Sequence, residues 1–295
     1  MYGYFCERDY EGDFPYTDLA CERRRANVSI DGVDYKKEVG IGGVWERIRI
    51  SSAEGEKSIG RPRGIYDTLK VQRMDLIDEE SIEDAQDEVA RELCYLCDRE
   101  EIIPERILVV GLGNGALTPD SVGTKSAARV KATMQIREFD EKFFDSLECS
   151  EIAVCTPGVA SDTGIDSAIA VSGICGAIKP DAVIVVDALA SRAVERLGST
   201  IQFSNTGILP GSGLGNARRA INKESVGAPV ISIGVPTVID SRMFWMDSVG
   251  ERDERVNPGL ARRAMFVSPR EINDIVDVAA RIVGGGINQA FGLYF

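Results

Sequence analysis

Apolar residues recur along this chain in two registers. Between Ser81 and Arg99, Ile82, Ala85, Val89, Leu93 and Leu96 repeat at three- and four-residue spacing, and acidic residues crowd the N-terminal end, where the helix dipole favours them. That stretch predicts an amphipathic helix. Ile107–Val110, Ile152–Val154, Val183–Val186 and Val230–Val235 are short continuous apolar runs bounded by Gly or Pro turn chemistry, as expected of strands covered by helices on both faces. Nearer the start, Val28-Ser-Ile30 leads into an Asp31-Gly32 turn, and Glu46-Arg-Ile48-Arg-Ile50 alternates charged with apolar residues. The pattern predicts an α/β fold: a three-layer α/β/α, mostly parallel sheet (phosphorylase/hydrolase-like) with a small antiparallel N-terminal element.

A last helix is expected to open at Ser268-Pro269-Arg270-Glu271, with Ser as cap, Pro at the first position and Glu271 closing a capping box. Its apolar face runs through Ile272, Ile275, Val276, Ala279 and Val283, and Gly284-Gly-Gly286 weakens it beyond that point. The opening residues are polar, dotted with aromatics and without period. The simplest partition is an arm over residues 1–18 and one α/β domain over 19–295.

The chain has 295 residues and a formal charge of −13, which disfavours a broad nucleic-acid-binding face. No stretch approaches the roughly 18 apolar residues of a spanning helix, and the start lacks the basic and apolar regions of a signal peptide. A cytoplasmic protein is therefore expected. The complete lack of histidine restricts the chemistry most. It removes Ser-His-Asp triads, Cys-His dyads and histidine-bearing zinc sites, leaving proton transfer to carboxylates, Lys, Tyr, Cys or water. Seven cysteines follow no framework spacing. Cys94 and Cys97 lie inside the helical pattern without a matching second pair, so core packing is expected there and neither a metal nor a cofactor is.

In open α/β sheets function gathers in the loops at the carboxyl ends of the strands. After Val110, Gly111-Leu-Gly113-Asn-Gly115-Ala116 meets the bare dinucleotide-binding pattern, yet Thr118-Pro119-Asp120 stands where that motif's helix should already run. No strand ends near Glu138 or Asp140 to hold a ribose. Asp120 and Asp187 each fall just beyond a buried run, and Asp187 follows four apolar residues directly. That is a costly place for a carboxylate unless it is paired, hydrogen-bonded or protonated. Two such groups in one crevice can share a proton, one deprotonating water while the other protonates a carbonyl oxygen or leaving amine. Each aspartate alone is equally compatible with a helix cap or a structural hydrogen bond. A third loop, Thr206-Gly207 to Gly215-Asn216, is glycine-rich and suits an anion cradle or a substrate loop.

The motifs together resemble the germination protease family of spore-forming bacteria. They are Val110-Gly-Leu-Gly-Asn114 with Thr118-Pro-Asp120, Pro157-Gly158-Val159 with Thr163-Gly164, and Asp187-Ala-Leu-Ala190 with Arg192 and Glu195-Arg196. Thr206-Gly with Pro210-Gly-Ser-Gly-Leu-Gly-Asn216, Gly234-Val-Pro-Thr-Val238 and Phe266-Val-Ser-Pro269 complete the set, which runs from about Thr17 to near the C-terminus.

The resemblance implies a fold similar to that of hydrogenase-maturation endopeptidases. It also implies an endopeptidase that cleaves small acid-soluble spore proteins at germination in the spore core, with Asp120 and Asp187 as catalytic aspartates. Asn114, Thr118, Gly211 and Gly213 become supporting or substrate-binding positions. A zymogen is implied as well, and Asp18-Leu19-Ala20-Cys21-Glu22 fits the expected self-processing site, with cleavage between Asp18 and Leu19. Assembly as a homotetramer is a further implication. The family has also been classed as a metallopeptidase, and the missing histidine argues against carrying a metal over. Leu209 replaces a histidine of the glycine-rich loop, and residues 241–265 show little family character. The competing readings are a non-catalytic relative that binds spore proteins or a nucleotide, and a metal-dependent maturation peptidase.

Overall fold

A computed structural model describes residues 17–23, 30–211, 219–241, 243–244 and 265–292. Its strands are β1 (Val33–Val39), β2 (Val44–Ile50), β3 (Gly64–Lys70), β4 (Arg106–Gly111), β5 (Glu151–Cys155), β6 (Ala182–Ser191), β7 (Thr200–Ser204), β8 (Val230–Asp240) and β9 (Phe266–Val267). The helices are α1 (Ala53–Ile59), α2 (Glu79–Arg99), α3 (Val122–Ala127), α4 (Met134–Phe139), α5 (Glu141–Ser146), α6 (Ala160–Thr163), α7 (Ser167–Ile178), α8 (Lys223–Val226) and α9 (Ile272–Ala290).

All the strands join one mixed sheet in the order β1-β2-β3-β7-β8-β6-β4-β5, with β9 on β8. β8, β6, β4 and β5 pair in parallel and form the half that carries the predicted aspartates. The antiparallel element does not stand apart, because β3 pairs with β7 and β7 with β8. Residues 28–29 of the first expected strand lie outside the described residues. The Asp31-Gly32 turn is present, and β1 follows it.

Strand residues alternate between two cores, as the pleat requires. Ile107 and Val109 of β4, Ile184 and Val186 of β6, and Ile231 and Ile233 of β8 pack with α2 and α9. Leu108, Val110, Val183 and Val185 face the other way and pack with α7 and Val226 of α8. Helices therefore cover both faces of the parallel half, which makes the three layers.

Two helical details differ from the sequence expectation. α9 begins at Ile272 with no side-chain cap. The Glu271 carboxylate instead accepts from Arg73 at 2.7 Å, so the expected capping box does not form. The helix also runs unbroken through Gly284–Gly286. A Cβ at Gly286 would lie 2.5 Å from the Val89 Cβ, and one at Gly284 would lie 2.7 Å from the Arg129 Cβ. These glycines are where α9 approaches its neighbours most closely, and that packing outweighs their poor helix propensity. Within α2, the expected core packing holds for Cys97, whose burial pushes its thiol up to about 12 and keeps it unreactive, but not for Cys94, which is exposed on the same helix.

A buried ionic cluster ties α2 to β2 and β3. The Arg47 guanidinium meets Glu38 at 2.9 Å, Asp67 at 2.6 Å and Glu92 at 2.7 Å, while Arg49 also grips Asp67 and reaches Tyr95. Lys36 also pairs with Glu38, so the buried crowding falls on Asp67 and Glu92, which share the Arg47 guanidinium. Burial first, and the adjoining Asp67 carboxyl second, push Glu92 up to about 8. An unfolded Glu92 would release its proton near 4.5, so its contribution to stability is complete below that pH and is lost as pH rises through about 8. Urea unfolding midpoints of the wild type should fall across that window, and Glu92→Gln, permanently neutral, should flatten the fall. An equally steep decline in Glu92→Gln would remove Glu92 as its source.

Candidate functional site

The site is built at the carboxyl ends of β4 and β6. β6 pairs with β4 only as far as Val186 opposite Gly111, then continues along β8 to Ser191. Asp187 is therefore a strand residue rather than a loop residue, and it is the first one beyond the end of β4. It is buried, and its Oδ1 accepts from the Ala188 N–H at 2.9 Å.

Asp120 reaches the same place by another route. After β4 the chain turns through Gly113, and a single 3-10 turn over Thr118–Asp120 precedes α3. No helix starts at Gly113, so the phosphate-cradling geometry of a dinucleotide fold is not formed. Asp120 Oδ2 accepts from the Asn114 N–H at 2.7 Å, and the Asn114 side chain in turn caps the Ala116 N–H at 2.9 Å. The Thr237 hydroxyl of β8 holds the 3-10 turn through the Pro119 carbonyl at 2.6 Å.

Two glycines allow this closeness. Gly113 has φ +95, and a Cβ there would lie 2.0 Å from the Asp120 carbonyl oxygen. A Cβ at Gly123 would lie 2.3 Å from the Val186 carbonyl oxygen and 2.4 Å from that of Leu112, so only glycine lets α3 seat against β4 and β6.

Asp18, Asp120 and Asp187 line one cavity of about 390 Å³, with Leu209, Thr237 and Phe266 also on its wall. Gly211 lines it at φ +75. Asn114 acts on the site through its backbone, and Thr118 through the 3-10 turn it opens; neither side chain is on the cavity wall. Gly213 lies outside the described residues, as does most of 241–265. Leu209, which stands in place of a histidine, is at the wall itself.

The arm's last residues enter this cavity. Asp18 exchanges two hydrogen bonds with Ala190 of β6: its N–H donates to the Ala190 carbonyl, and its Oδ2 accepts from the Ala190 N–H, each at 2.9 Å. Leu19 and Ala20 are fully buried. Glu22 accepts from the Ser191 hydroxyl at 2.8 Å and from the N–H groups of Arg192 and Ala193 at 2.8 and 2.9 Å. Burial, partly offset by the Arg196 charge, pushes the Cys21 thiol up to about 12. Sequence reading did not single out Gln202, Ser191 or Arg61 here. For Gln202 the available signal was a polar residue between the buried Ile201 and Phe203.

The sequence matches the family model described as germination protease over residues 16–250. The chain belongs to the germination protease family. It is 34% identical to a germination protease of Caldanaerobacter subterraneus subsp. tengcongensis over 93% of each chain. A Clostridium perfringens germination protease is likewise 34% identical, over 93% of this chain and 94% of its own. One from Bacillus thuringiensis reaches 36% over 79% of this chain and 65% of its own. Among solved structures, a nickel–iron hydrogenase maturation protease from Thermococcus kodakarensis aligns at 18% identity with TM-score 0.35, over 65% of this chain and 94% of that one.

Membership makes the chain a peptidase and the cavity its candidate active site. Among the described residues no helix is long and apolar enough to cross a membrane. Nor does any group of three carboxylate or thiol side chains among the described residues lie close enough to hold a metal ion. Because Gly113 sets where Asp120 lies, Gly113→Ala should cost about 1–3 kcal/mol of stability. It should slow peptide cleavage about 100-fold, more than the stability loss explains. Urea unfolding measured beside initial rates separates the two effects; unchanged rates would show that Asp120 need not sit there.

Proposed function

We propose that this germination-protease relative hydrolyses peptide bonds with the pair Asp120 and Asp187, and that it is made as a zymogen that cuts itself between Asp18 and Leu19. The supporting observation is that both aspartates and Asp18 line a single cavity. A backbone N–H fixes one oxygen of each catalytic carboxylate, Asn114 for Asp120 and Ala188 for Asp187. One carboxylate takes a proton from water as the water oxygen adds to the carbonyl carbon; the other protonates the carbonyl oxygen. Collapse of the tetrahedral species breaks the C–N bond and returns a proton to the leaving amine. Sharing one proton between two like charges predicts activity on the mildly acidic side of neutrality.

The substrates proposed are the small acid-soluble proteins of the dormant spore, degraded at germination in the spore core. The family and the form of the Asp18–Glu22 segment support that reading. Asp120→Asn and Asp187→Asn should each lose self-processing and cleavage of a small spore protein by at least about 1,000-fold while staying folded. Intact mass follows loss of residues 1–18, and a strong chelator should leave the wild-type rate unchanged. Wild-type turnover in either variant would remove that residue from the mechanism, and inhibition by the chelator would favour a metal-dependent peptidase.

A further inference from the structure

β8 lies between β7 and β6, and its Gly234-Val-Pro-Thr-Val238 stretch is unusual for a strand flanked on both sides. Proline gives no N–H to a ladder and is confined within sheets to edges, first residues and bulges. Here it sits beside a bulge. Leu189 of β6 stands opposite Pro236, but the next residue, Ala190, stands opposite Val238, so Thr237 is one residue more than β6 can pair. The Pro236 carbonyl accepts from the Gly198 N–H at 3.0 Å, which anchors β8 up to the bulge.

A bulge takes its extra residue out of the ladder and re-aims its side chain. Thr237 is fully buried on the cavity wall, and its hydroxyl donates to the Pro119 carbonyl at 2.6 Å. That carbonyl belongs to the peptide unit joining Pro119 to Asp120. The other end of the same unit, the Asp120 N–H, donates to the Leu117 carbonyl at 2.8 Å. The peptide plane that carries Asp120 is thus held at both ends, once from its own turn and once from β8. On the same strand, three residues earlier, Gly234 stands in register with Asp187. One strand therefore fixes Asp187 through the ladder and Asp120 through a hydroxyl.

We propose that Thr237 sets the spacing between Asp120 and Asp187, with the bulge as the device that aims it. The inference rests on the proposed catalytic pair and adds the element that spaces it. Thr237 is a positioning residue: its hydroxyl proton is committed to a main-chain carbonyl, so it moves no proton in the reaction. What it supplies is proximity, because two carboxylates share a proton only while they stay close. Strong coupling holds the two titration steps of the pair far apart. Letting the 3-10 turn drift from β8 weakens the coupling and draws those steps together, so the pH–rate bell narrows from both sides. Among the described residues the titratable side chains on the cavity wall are Asp18, Asp120 and Asp187, and Arg61 faces Asp18 at 3.6 Å. Asp18 and Arg61 are the same in every variant at Thr237, so a change in the bell between variants reports the pair.

The test compares two full-length variants. Thr237→Val keeps the shape of the side chain without its donor, and Thr237→Ser keeps the donor. Self-processing is followed by intact mass and cleavage of a small spore protein by initial rates, from about pH 4 to about pH 9. Thr237→Val should lower self-processing and kcat about 10- to 100-fold, with KM within about twofold of the wild type. It should also narrow the bell by about one pH unit. Thr237→Ser should return kcat to within about threefold of the wild type and restore the width of the bell. Urea midpoints establish that each variant is folded; if Thr237→Val is not, Thr237→Ala takes its place beside Thr237→Ser. Wild-type rates and bell width without the hydroxyl would overturn the inference, as would a Thr237→Ser variant as slow as Thr237→Val. A rate lost with the bell unchanged would mark a merely structural role and overturn it too. Asp120→Asn and Asp187→Asn test the pair separately. If both are inactive while Thr237→Val is normal, the pair stands and Thr237 falls; if either turns over at the wild-type rate, pair and spacing fall together.

Discussion

The site depends on β6 outrunning β4. Pairing between them stops at Val186, while β6 continues to Ser191 along β8, so one edge of its last residues is released from the parallel ladder. Backbone groups set free in this way must find partners, and here they hold Asp18 and Glu22. Ala190 gives both its N–H and its carbonyl to Asp18, and the N–H groups of Arg192 and Ala193 just after the strand go to Glu22. A strand that ended level with β4 would offer neither the Asp187 position nor this row of donors. The crevice and the seat of Asp18 and Glu22 beside it are one consequence of unequal strand length.

Glycine makes that geometry compact. Gly111 and Gly123 let α3 press on β4, since a Cβ at Gly111 would lie 2.3 Å from the Gly123 carbonyl oxygen. That contact brings the 3-10 turn, and Asp120 with it, against the end of β6. Gly234 lies between Gln202 and Asp187 in the row of the sheet, where a Cβ would lie 2.3 Å from Leu189 Cδ1. A side chain there would displace Leu189, a wall residue of the cavity. The glycines thus act by close approach at least as much as by conformational freedom.

How much of this could be read from the sequence follows from the range of the interactions involved. The parallel core was legible because Ile107–Val110 and Val183–Val186 carry their burial in the residues themselves. So were Asp120 and Asp187, each a carboxylate directly after turn chemistry or an apolar run. β3 was not, because Tyr66, Asp67 and Thr68 break the apolar pattern; Asp67 is buried only because Arg47 and Arg49 meet it there. The length of α9 was hidden for a similar reason, its glycines being explained by Val89 and Gln86 on another helix. The seat of residues 18–22 was least legible of all. Gln202 and Ser191 acquire their roles from residues about 170 to 180 positions away, a separation that no local period encodes.

The same distinction between range and contact reconciles the net charge of the chain with the Asp18 and Glu22 carboxylates it holds beside β6. A net charge of −13 governs long-range steering and would repel an acidic peptide as a whole. At physiological ionic strength that repulsion is screened beyond about 8 Å. Beside the end of β6, Arg61, Arg196 and a row of backbone N–H groups meet the Asp18 and Glu22 carboxylates at hydrogen-bonding range or close to it, in partly buried surroundings where such contacts are strongest. Net charge, a long-range and screened quantity, therefore does not prevent the chain from holding two of its own carboxylates at short range, where individual donors decide the outcome.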